Sequence, residues 1–154
     1  MKYFAGIGSR ATPPRVLDVM TAIARKLKGL EWTLRSGGAG GADQAFEAGF
    51  GSRGPKEIFY ADDATVQCIQ LASKYHPAWD KCSNYAKKLH GRNMMILLGR
   101  MLDTPVKFVV CYTEGAQIKG GTGQALRYAK ENGIPITNLG DPDVLKKVKE
   151  WVSS

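Results

Sequence analysis

Long apolar runs are missing from this chain of 154 residues. No segment approaches the roughly 18 to 20 consecutive apolar residues that a membrane-spanning helix needs. The chain also starts directly with a strand-like segment at residues 2 to 7, without a charged and then apolar leader. These absences predict a cytoplasmic protein that has no membrane partner.

Cysteine is scarce, and its spacing fits neither a disulfide framework nor a zinc site. The cysteines are Cys68, Cys82 and Cys111, no CxxC pair occurs, and His76 and His90 are the only histidines. Structural zinc sites draw on closely spaced Cys and His residues. The sequence therefore predicts no metal site and no cofactor. We interpret the cysteines as small apolar residues in a reducing compartment.

Two widespread nucleotide fingerprints are missing as well. No GxxxxGK[ST] segment occurs, and no full GxGxxG opens the first predicted helix, although Gly6, Gly8 and Ala11 approach its looser form. The spacing indicates no Ser-His-Asp or Cys-His arrangement. P-loop kinases and ordinary dinucleotide enzymes are therefore disfavoured, and the residues alone indicate binding chemistry more than bond cleavage.

Acidic residues are outnumbered by basic ones. The 22 Lys and Arg against 14 Asp and Glu give a formal net charge of +8. Clustered cations attract phosphates and gain free energy when counterions are released. Much of this charge lies on predicted helices, at residues 25 to 28 and 146 to 149, where a solvated face is expected. The charge balance permits an anionic partner without requiring one.

The sequence does contain a regular alternation of strand-like and helix-like segments. Strands are predicted at residues 3 to 7, 32 to 35, 57 to 60, 106 to 111 and 134 to 137. Helices are predicted at residues 16 to 27, 42 to 49, 62 to 75, 84 to 102, 121 to 132 and 143 to 152. No linker or internal repeat interrupts the pattern. It predicts one α/β domain over residues 1 to 154, a Rossmann-like doubly wound domain with a mainly parallel sheet of about five strands.

Three glycine-rich turns follow strands of this predicted sheet. Ligands of doubly wound domains bind at the carboxyl ends of the strands, and a helix N-terminus attracts anions. The turns are Gly6-Ile7-Gly8-Ser9-Arg10, Ser36-Gly37-Gly38-Ala39-Gly40-Gly41-Ala42-Asp43 and Lys119-Gly120-Gly121-Thr122-Gly123. One such turn is weak evidence, because glycine often joins a strand to a helix. Three in one short chain predict a phosphate site.

Polar residues near these turns are further candidates. Asp43 either caps the second helix or accepts a hydrogen bond from a ribose hydroxyl. Arg92, beside Asn93, is either a surface residue or an inward guanidinium fork for phosphate. Tyr112 and Glu114 lie directly beyond the most apolar strand. Other aromatics, interpreted as core residues or as base-stacking surfaces, are Trp32, Trp79 and Tyr85.

The order and spacing of these segments resemble the SLOG superfamily. That superfamily joins the Rossmann-like core of the DNA-processing protein DprA (Smf) to the Lonely Guy (LOG) nucleotide hydrolases. The resemblance spans residues 3 to 138, and the segment SGGAGGAD with the Arg92-Asn93 pair is most similar to DprA. It extends over Gly8-Ser9-Arg10, residues 36 to 43, Gly91-Arg92-Asn93, Gly120-Gly121-Thr122, Ala129 and Gly133-Ile134-Pro135. A small stand-alone member, of the kind often encoded by phages, is the expected type.

The resemblance implies a protein that binds a nucleotide or nucleotide-derived ligand, or single-stranded DNA, between the glycine loops. SLOG relatives commonly pair through long helices like residues 94 to 102, which implies a homodimer or higher homo-oligomer, whereas the same apolar helix fits a plain core position equally well. The expected ligand-binding residues are Gly8, Ser9, Arg10, Ser36, Gly37, Gly38, Gly40, Gly41, Asp43, Arg92, Asn93, Tyr112, Glu114, Gly120, Gly121, Thr122 and Gly123.

The alternative implied by the resemblance is a LOG-like hydrolase that cleaves the N-glycosidic bond of a nucleoside monophosphate. LOG enzymes carry a catalytic glutamate shortly after a PGGxGT loop. This chain has Leu126 and Arg127 where that acidic pair would be, while Arg92 matches the family's functional arginine. Glu114 and Asp43 are the remaining candidates for a catalytic carboxylate. The binding function is therefore favoured over the enzymatic one.

Overall fold

Five parallel strands form one sheet, and helices cover both of its faces. The structure is a computed structural model that describes all 154 residues. The sheet order is β3-β2-β1-β4-β5, so the winding direction reverses between β1 and β4. The strands are β1 (Tyr3–Gly6), β2 (Thr33–Gly37), β3 (Lys56–Phe59), β4 (Val109–Cys111) and β5 (Ile136–Asn138). The predicted Rossmann-like α/β fold is confirmed.

Six helices flank the sheet. They are α1 (Pro14–Gly29), α2 (Ala42–Phe50), α3 (Val66–Ser73), α4 (Asn84–Leu98), α5 (Gly120–Glu131) and α6 (Pro142–Ser153). The first, second and sixth pack on one face, and the other three pack on the opposite face. None of them combines the length and the apolar character that crossing a bilayer requires.

Alternation along the central strands builds a separate core on each face. In β1, Phe4 packs with the α1 and α2 layer, whereas Ala5 packs with the α3, α4 and α5 layer. In β4, Val110 joins the first core, and Val109 and Cys111 join the second. Successive side chains of a strand point to opposite faces, so a strand covered on both sides is apolar throughout. This explains why β4 reads as an almost continuous apolar segment.

The fourth helix differs from its predicted length and role. It ends at Leu98 because Gly99 adopts a φ of 83°, and Leu102 adopts a φ of 59°, so residues 99 to 102 are not helical. Its apolar residues from Met94 to Leu98 are all buried against the sheet and neighbouring helices of the same chain. The predicted pairing surface at residues 94 to 102 is thus mainly core, and the homodimer prediction loses the surface on which it rested.

Other boundaries moved by a few residues. The helix predicted at residues 62 to 75 begins at Val66, where the Thr65 hydroxyl accepts a hydrogen bond from the amide of Cys68 at 3.2 Å. Residues 61 to 63 form a short 3-10 turn instead. The strand predicted at residues 106 to 111 is regular only from Val109, although the amide of Lys107 already donates to Tyr3 at 2.8 Å.

Candidate functional site

A cavity of about 660 Å³ opens at the carboxyl ends of β1 and β4, where the winding direction reverses. The loops after β1, β2 and β4 line it together with α4. Twelve of the expected ligand-binding residues lie on its wall: Gly8, Ser9, Arg10, Gly38, Asp43, Arg92, Asn93, Tyr112, Glu114, Gly120, Gly121 and Thr122. The other five, which are Ser36, Gly37, Gly40, Gly41 and Gly123, lie outside the lining.

Side-chain hydrogen bonds to backbone carbonyls and one close backbone approach hold the first two loops in place. The Ser36 hydroxyl donates to the carbonyl of Gly6 at 2.5 Å, and the Thr12 hydroxyl donates to that of Ser9 at 2.6 Å. Gly41 has a φ of 73°, and a Cβ there would lie 2.8 Å from the Cα of Arg10. Only glycine suits this combination of positive φ and close approach. Ser36 and Gly41 therefore support the loops from behind the cavity wall.

Asp43 lies in the first turn of α2 and points its carboxylate into a protected position. The residue is only 5% exposed, and its Oδ2 accepts a hydrogen bond from the amide of Ala39 at 3.3 Å. Burial raises the pKa of Asp43 to about 6, while the positive charge of Arg92 and the Ala39 hydrogen bond oppose that rise. The carboxyl thus gains or loses its proton close to neutral pH.

Arg92 is a buried guanidinium with little compensation. It projects from α4, is 8% exposed, and donates one hydrogen bond from Nη1 to the carbonyl of Phe59 at 3.1 Å. Its Nε is buried without any partner, and it forms no direct ion pair with Asp43. Burial lowers the pKa of Arg92, and the nearby charge of Asp43 opposes this. A guanidinium stays protonated in proteins, so the cavity holds an under-satisfied cation.

Both charges converge on Gly37 at the end of β2. A Cβ on Gly37 would overlap Nη1 of Arg92 and would lie 2.8 Å from Oδ2 of Asp43. Gly37 therefore leaves room for both side chains at the strand end. It acts through its lack of a side chain rather than as part of the cavity wall.

The third loop forms the N-terminus of α5. Gly120 has a φ of 70°, and a Cβ on Gly120 or Gly121 would meet no atom within 4 Å, so this part of the wall is open. The Asn93 amide donates to the carbonyl of Gly121 at 3.3 Å and to Oε1 of Gln124 at 3.2 Å. Asn93 therefore ties the loop to α4. Gly123 is buried inside the first turn of the helix.

Aromatic side chains surround the opening. Tyr112 is half-buried beyond β4, and Glu114 is exposed in the short 3-10 turn that follows. Two further tyrosines of the lining were not among the expected ligand-binding residues: Tyr60 is 55% exposed and Tyr85 is 61% exposed. The position of Tyr60 at the end of a predicted strand could have identified it. The sequence left Tyr85 as either a core residue or a residue on which a base stacks. The structure places it outside the core.

Leu126 and Arg127, which the resemblance to LOG enzymes would align with the acidic pair, lie away from the cavity. Leu126 is buried in the core, and the Arg127 guanidinium donates from Nη2 to the carbonyl of Ile118 at 3.3 Å. Neither residue lines the cavity. The two candidate carboxylates, Asp43 and Glu114, do line it, one buried and one exposed.

Sequence analysis missed a second cluster of side chains, which are potential metal ligands. Potential ligand atoms of His76, Cys82 and His90 all lie within 4.8 Å of one another. The chain reversal between α3 and α4 brings them together, and their spacing matches no common metal motif. His90 also lines the cavity, and burial and the proximity of His76 lower its pKa. Only Cys68 and Cys111 are fully buried, as expected for small apolar residues.

Comparison of this chain with protein-family models, curated proteins and solved structures finds no match. A fold of this kind hosts many unrelated functions, so the fold does not identify a ligand. Function must be argued from the chemistry of the cavity wall.

Proposed function

We propose that the cavity binds a nucleoside phosphate, with the phosphate held between the three glycine loops. The observation that carries the proposal is Arg92, a buried cation at the cavity wall with one hydrogen bond and an unpartnered Nε. A buried charge without a partner costs free energy, which an anionic ligand returns on binding. Phosphate suits a guanidinium because its oxygens accept two parallel N–H bonds.

The loops supply the remaining features of a phosphate site. The first N–H groups of α5, at Gly120 and Gly121, lie at the positive end of a helix dipole and face an open part of the wall. Arg10 and Lys119 add exposed positive charge at the same cavity. A phosphate here would receive backbone and side-chain donors from separate loops.

The rest of the cavity suits a nucleoside. Tyr60, Tyr85 and Tyr112 offer aromatic faces on which a base can stack. Asp43 and Glu114 are acceptors for ribose hydroxyls. The resemblance of the loops to the SLOG superfamily supports the same ligand class. A cleft of about 660 Å³ matches one nucleotide better than a long strand, so a free nucleotide is favoured over single-stranded DNA.

Competition binding tests this choice. Fluorescence anisotropy of a labelled single-stranded oligonucleotide would be measured at about 50 and 200 mM salt, with unlabelled mononucleotides as competitors. Each phosphate contact to a single strand should add about 0.7 to the salt slope. Displacement by a mononucleotide at low concentration, or direct mononucleotide binding without oligonucleotide binding, supports the free-nucleotide site. Tight, salt-steep binding that mononucleotides fail to displace would identify single-stranded DNA as the ligand.

The role of Arg92 is tested by Arg92→Ala with Arg100→Ala as a matched control. Arg100 is an exposed arginine just beyond the same helix and does not line the cavity. We expect Arg92→Ala to weaken binding by about tenfold or more, equivalent to at least 1.4 kcal/mol, with a nearly unchanged melting temperature. Arg100→Ala should bind normally. Unaltered affinity of the Arg92 variant would remove Arg92 from the site.

A LOG-like hydrolase is the second candidate, and one observation favours it. Asp43 is a buried carboxyl at the cavity whose pKa of about 6 suits proton transfer near neutral pH. Nucleoside monophosphates would be incubated with the protein and free base quantified by chromatography. Base release that is lost in Asp43→Asn or Glu114→Gln would establish this activity, whereas an inert panel would leave the binding function alone.

A further inference from the structure

We propose that His76, Cys82 and His90 form a binding site for a thiophilic divalent transition-metal ion, for which Zn²⁺ is the representative. Two imidazoles and one thiolate are ligands that zinc prefers, and three protein ligands leave a fourth position for water. The inference does not depend on the nucleotide site, because only His90 belongs to both.

The observed separations are close to those of a coordinated ion. Sγ of Cys82 lies 3.5 Å from Nε2 of His76. With Zn–S near 2.3 Å and Zn–N near 2.0 Å, tetrahedral geometry requires about 3.5 Å between a sulfur and a nitrogen ligand. The widest separation in the cluster, at most 4.8 Å, must close by up to about 1.5 Å. Cys82 and His76 are only half-buried, so their side chains have room for that adjustment.

His90 provides an independent reason to expect a ligand. The residue is 7% exposed, and its Nδ1 is buried without a hydrogen-bond partner. Buried imidazole nitrogens are normally paired, and a metal ion is one partner that satisfies them. The ring lies 4.8 Å from that of His76 at an angle of 62°, so the two imidazoles are in edge-to-face contact.

The metal-ligand cluster is covered by an aromatic ring on one side and lies near exposed residues on the other. The Trp79 ring lies 6.0 Å from that of His76 and 5.9 Å from that of His90, which limits water on one side. Exposed Asp80 and Lys81 lie in the loop immediately before Cys82. An ion can therefore reach the cluster from the solvent side, where Cys82 is half-buried. His90 fixes the other side of the cluster to α4.

One contact must change when the ion binds. The amide of Ala78 donates to Nδ1 of His76 at 3.0 Å, so the neutral ring carries its proton on Nε2, facing Cys82. Coordination through Nε2 requires this proton to move to Nδ1 or the ring to turn, and the thiol to release its proton to solvent. Either change at His76 breaks the hydrogen bond from the Ala78 amide. Filling of the site is thus expected to rearrange the loop from residue 76 to residue 82.

Cobalt titration tests the site with a probe that reports its ligands. The tag-free protein, reduced with a phosphine, would be titrated with Co²⁺ and then with Zn²⁺. We expect one equivalent of Co²⁺ to give a thiolate-to-cobalt charge-transfer band and the visible bands of a four-coordinate ion, and Zn²⁺ to bleach them. Absence of these bands at about millimolar cobalt would overturn the proposal.

Variants separate this cluster from adventitious binding. Cys82→Ser should abolish the charge-transfer band, and His76→Gln should weaken cobalt binding about tenfold or more. Cys68→Ala is the matched control, because Cys68 is buried in α3 and outside the cluster, and it should keep the band. Asp80→Ala is a second control if the buried substitution unfolds the chain. Retention of the band in Cys82→Ser, or its loss in Asp80→Ala, would contradict the assignment.

Discussion

The two buried arginines of this protein differ in how completely their guanidinium groups are satisfied. Arg35 in β2 is 2% exposed, pairs with Glu57 at 2.7 Å, and donates to both the carbonyl and the hydroxyl of Thr104. Its guanidinium also lies 3.8 Å from the centre of the Tyr3 ring. Arg92 is almost as buried, yet it makes one hydrogen bond and has no ion pair.

Their positions explain the difference. Arg35 lies within the sheet, where the pairing of β2 with β3 brings it opposite Glu57. Arg92 lies beyond the carboxyl ends of the strands, where loops leave a cavity instead of packed side chains. A buried arginine in which each guanidinium nitrogen donates a hydrogen bond within the protein stabilises the fold. One whose donors are left open at a cavity has capacity for a ligand, and this contrast leads to three predictions.

The largest loss of stability is expected for Arg35, each of whose guanidinium nitrogens donates a hydrogen bond. Arg35→Ala removes an ion pair, two hydrogen bonds to Thr104 and a large buried side chain. We expect it to lower the free energy of unfolding by about 3 to 4 kcal/mol, against less than about 1 kcal/mol for Arg92→Ala. Urea denaturation measures both. Equal losses for the two variants would end the distinction between a structural and a ligand-binding arginine.

The second prediction, of a slightly smaller effect, concerns the dependence of folding stability on pH. Asp43 has a folded pKa of about 6 against an ordinary value of 3.8, so the folded chain binds its proton more tightly than the unfolded chain. Protonation therefore stabilises the fold, and this stability is lost as the pH rises from about 4 through about 6. A shift of about two pKa units corresponds to about 3 kcal/mol.

Asp43→Asn isolates this contribution, because asparagine mimics the protonated carboxyl and does not titrate. Unfolding free energies of the two proteins, measured by denaturant at several pH values, should diverge in favour of the variant by about 2 to 3 kcal/mol between pH 4 and pH 7. Parallel pH profiles would show that Asp43 ionises normally and that Arg92 has a full counter-charge.

The smallest effect on stability, with a clear effect on binding, is expected at the end of β2. Gly37→Ala places a methyl group against Nη1 of Arg92 and Oδ2 of Asp43, so the guanidinium must shift. We expect about tenfold weaker nucleotide binding and a stability loss of about 1 kcal/mol. Gly40→Ala, whose methyl group would meet no atom within 4 Å, is the matched control and should bind normally. Equal affinities would show that the position of Arg92 does not limit binding.

Much of the candidate site could be predicted because glycine turns between strands and helices are local features. The loops around Gly8, Gly38 and Gly121 follow strands whose carboxyl ends meet at one edge, so their convergence follows from the fold class. The state of Arg92 could not be predicted, because surface exposure and inward burial are equally compatible with its place on a helix.

The His76, Cys82 and His90 cluster shows the limit of spacing arguments. No sequence interval marks these residues as ligands, because the chain reversal after α3 brings His76 and Cys82, which lie in the connecting segment, next to His90 in α4. The predicted end of α4 was wrong for a related reason. Apolar residues continue beyond Leu98, but Gly99 takes a left-handed conformation and its neighbours in space include Thr104 and Arg35.

The sequence by itself determined the order of strands and helices and the α/β class, because apolar periodicity and glycine or proline boundaries act between near neighbours. The tertiary structure alone decided the strand order β3-β2-β1-β4-β5, which arginine is satisfied, and which side chains share the cavity. These properties depend on contacts between residues far apart in the chain, and such contacts exist only once the sheet has assembled and its helices have packed.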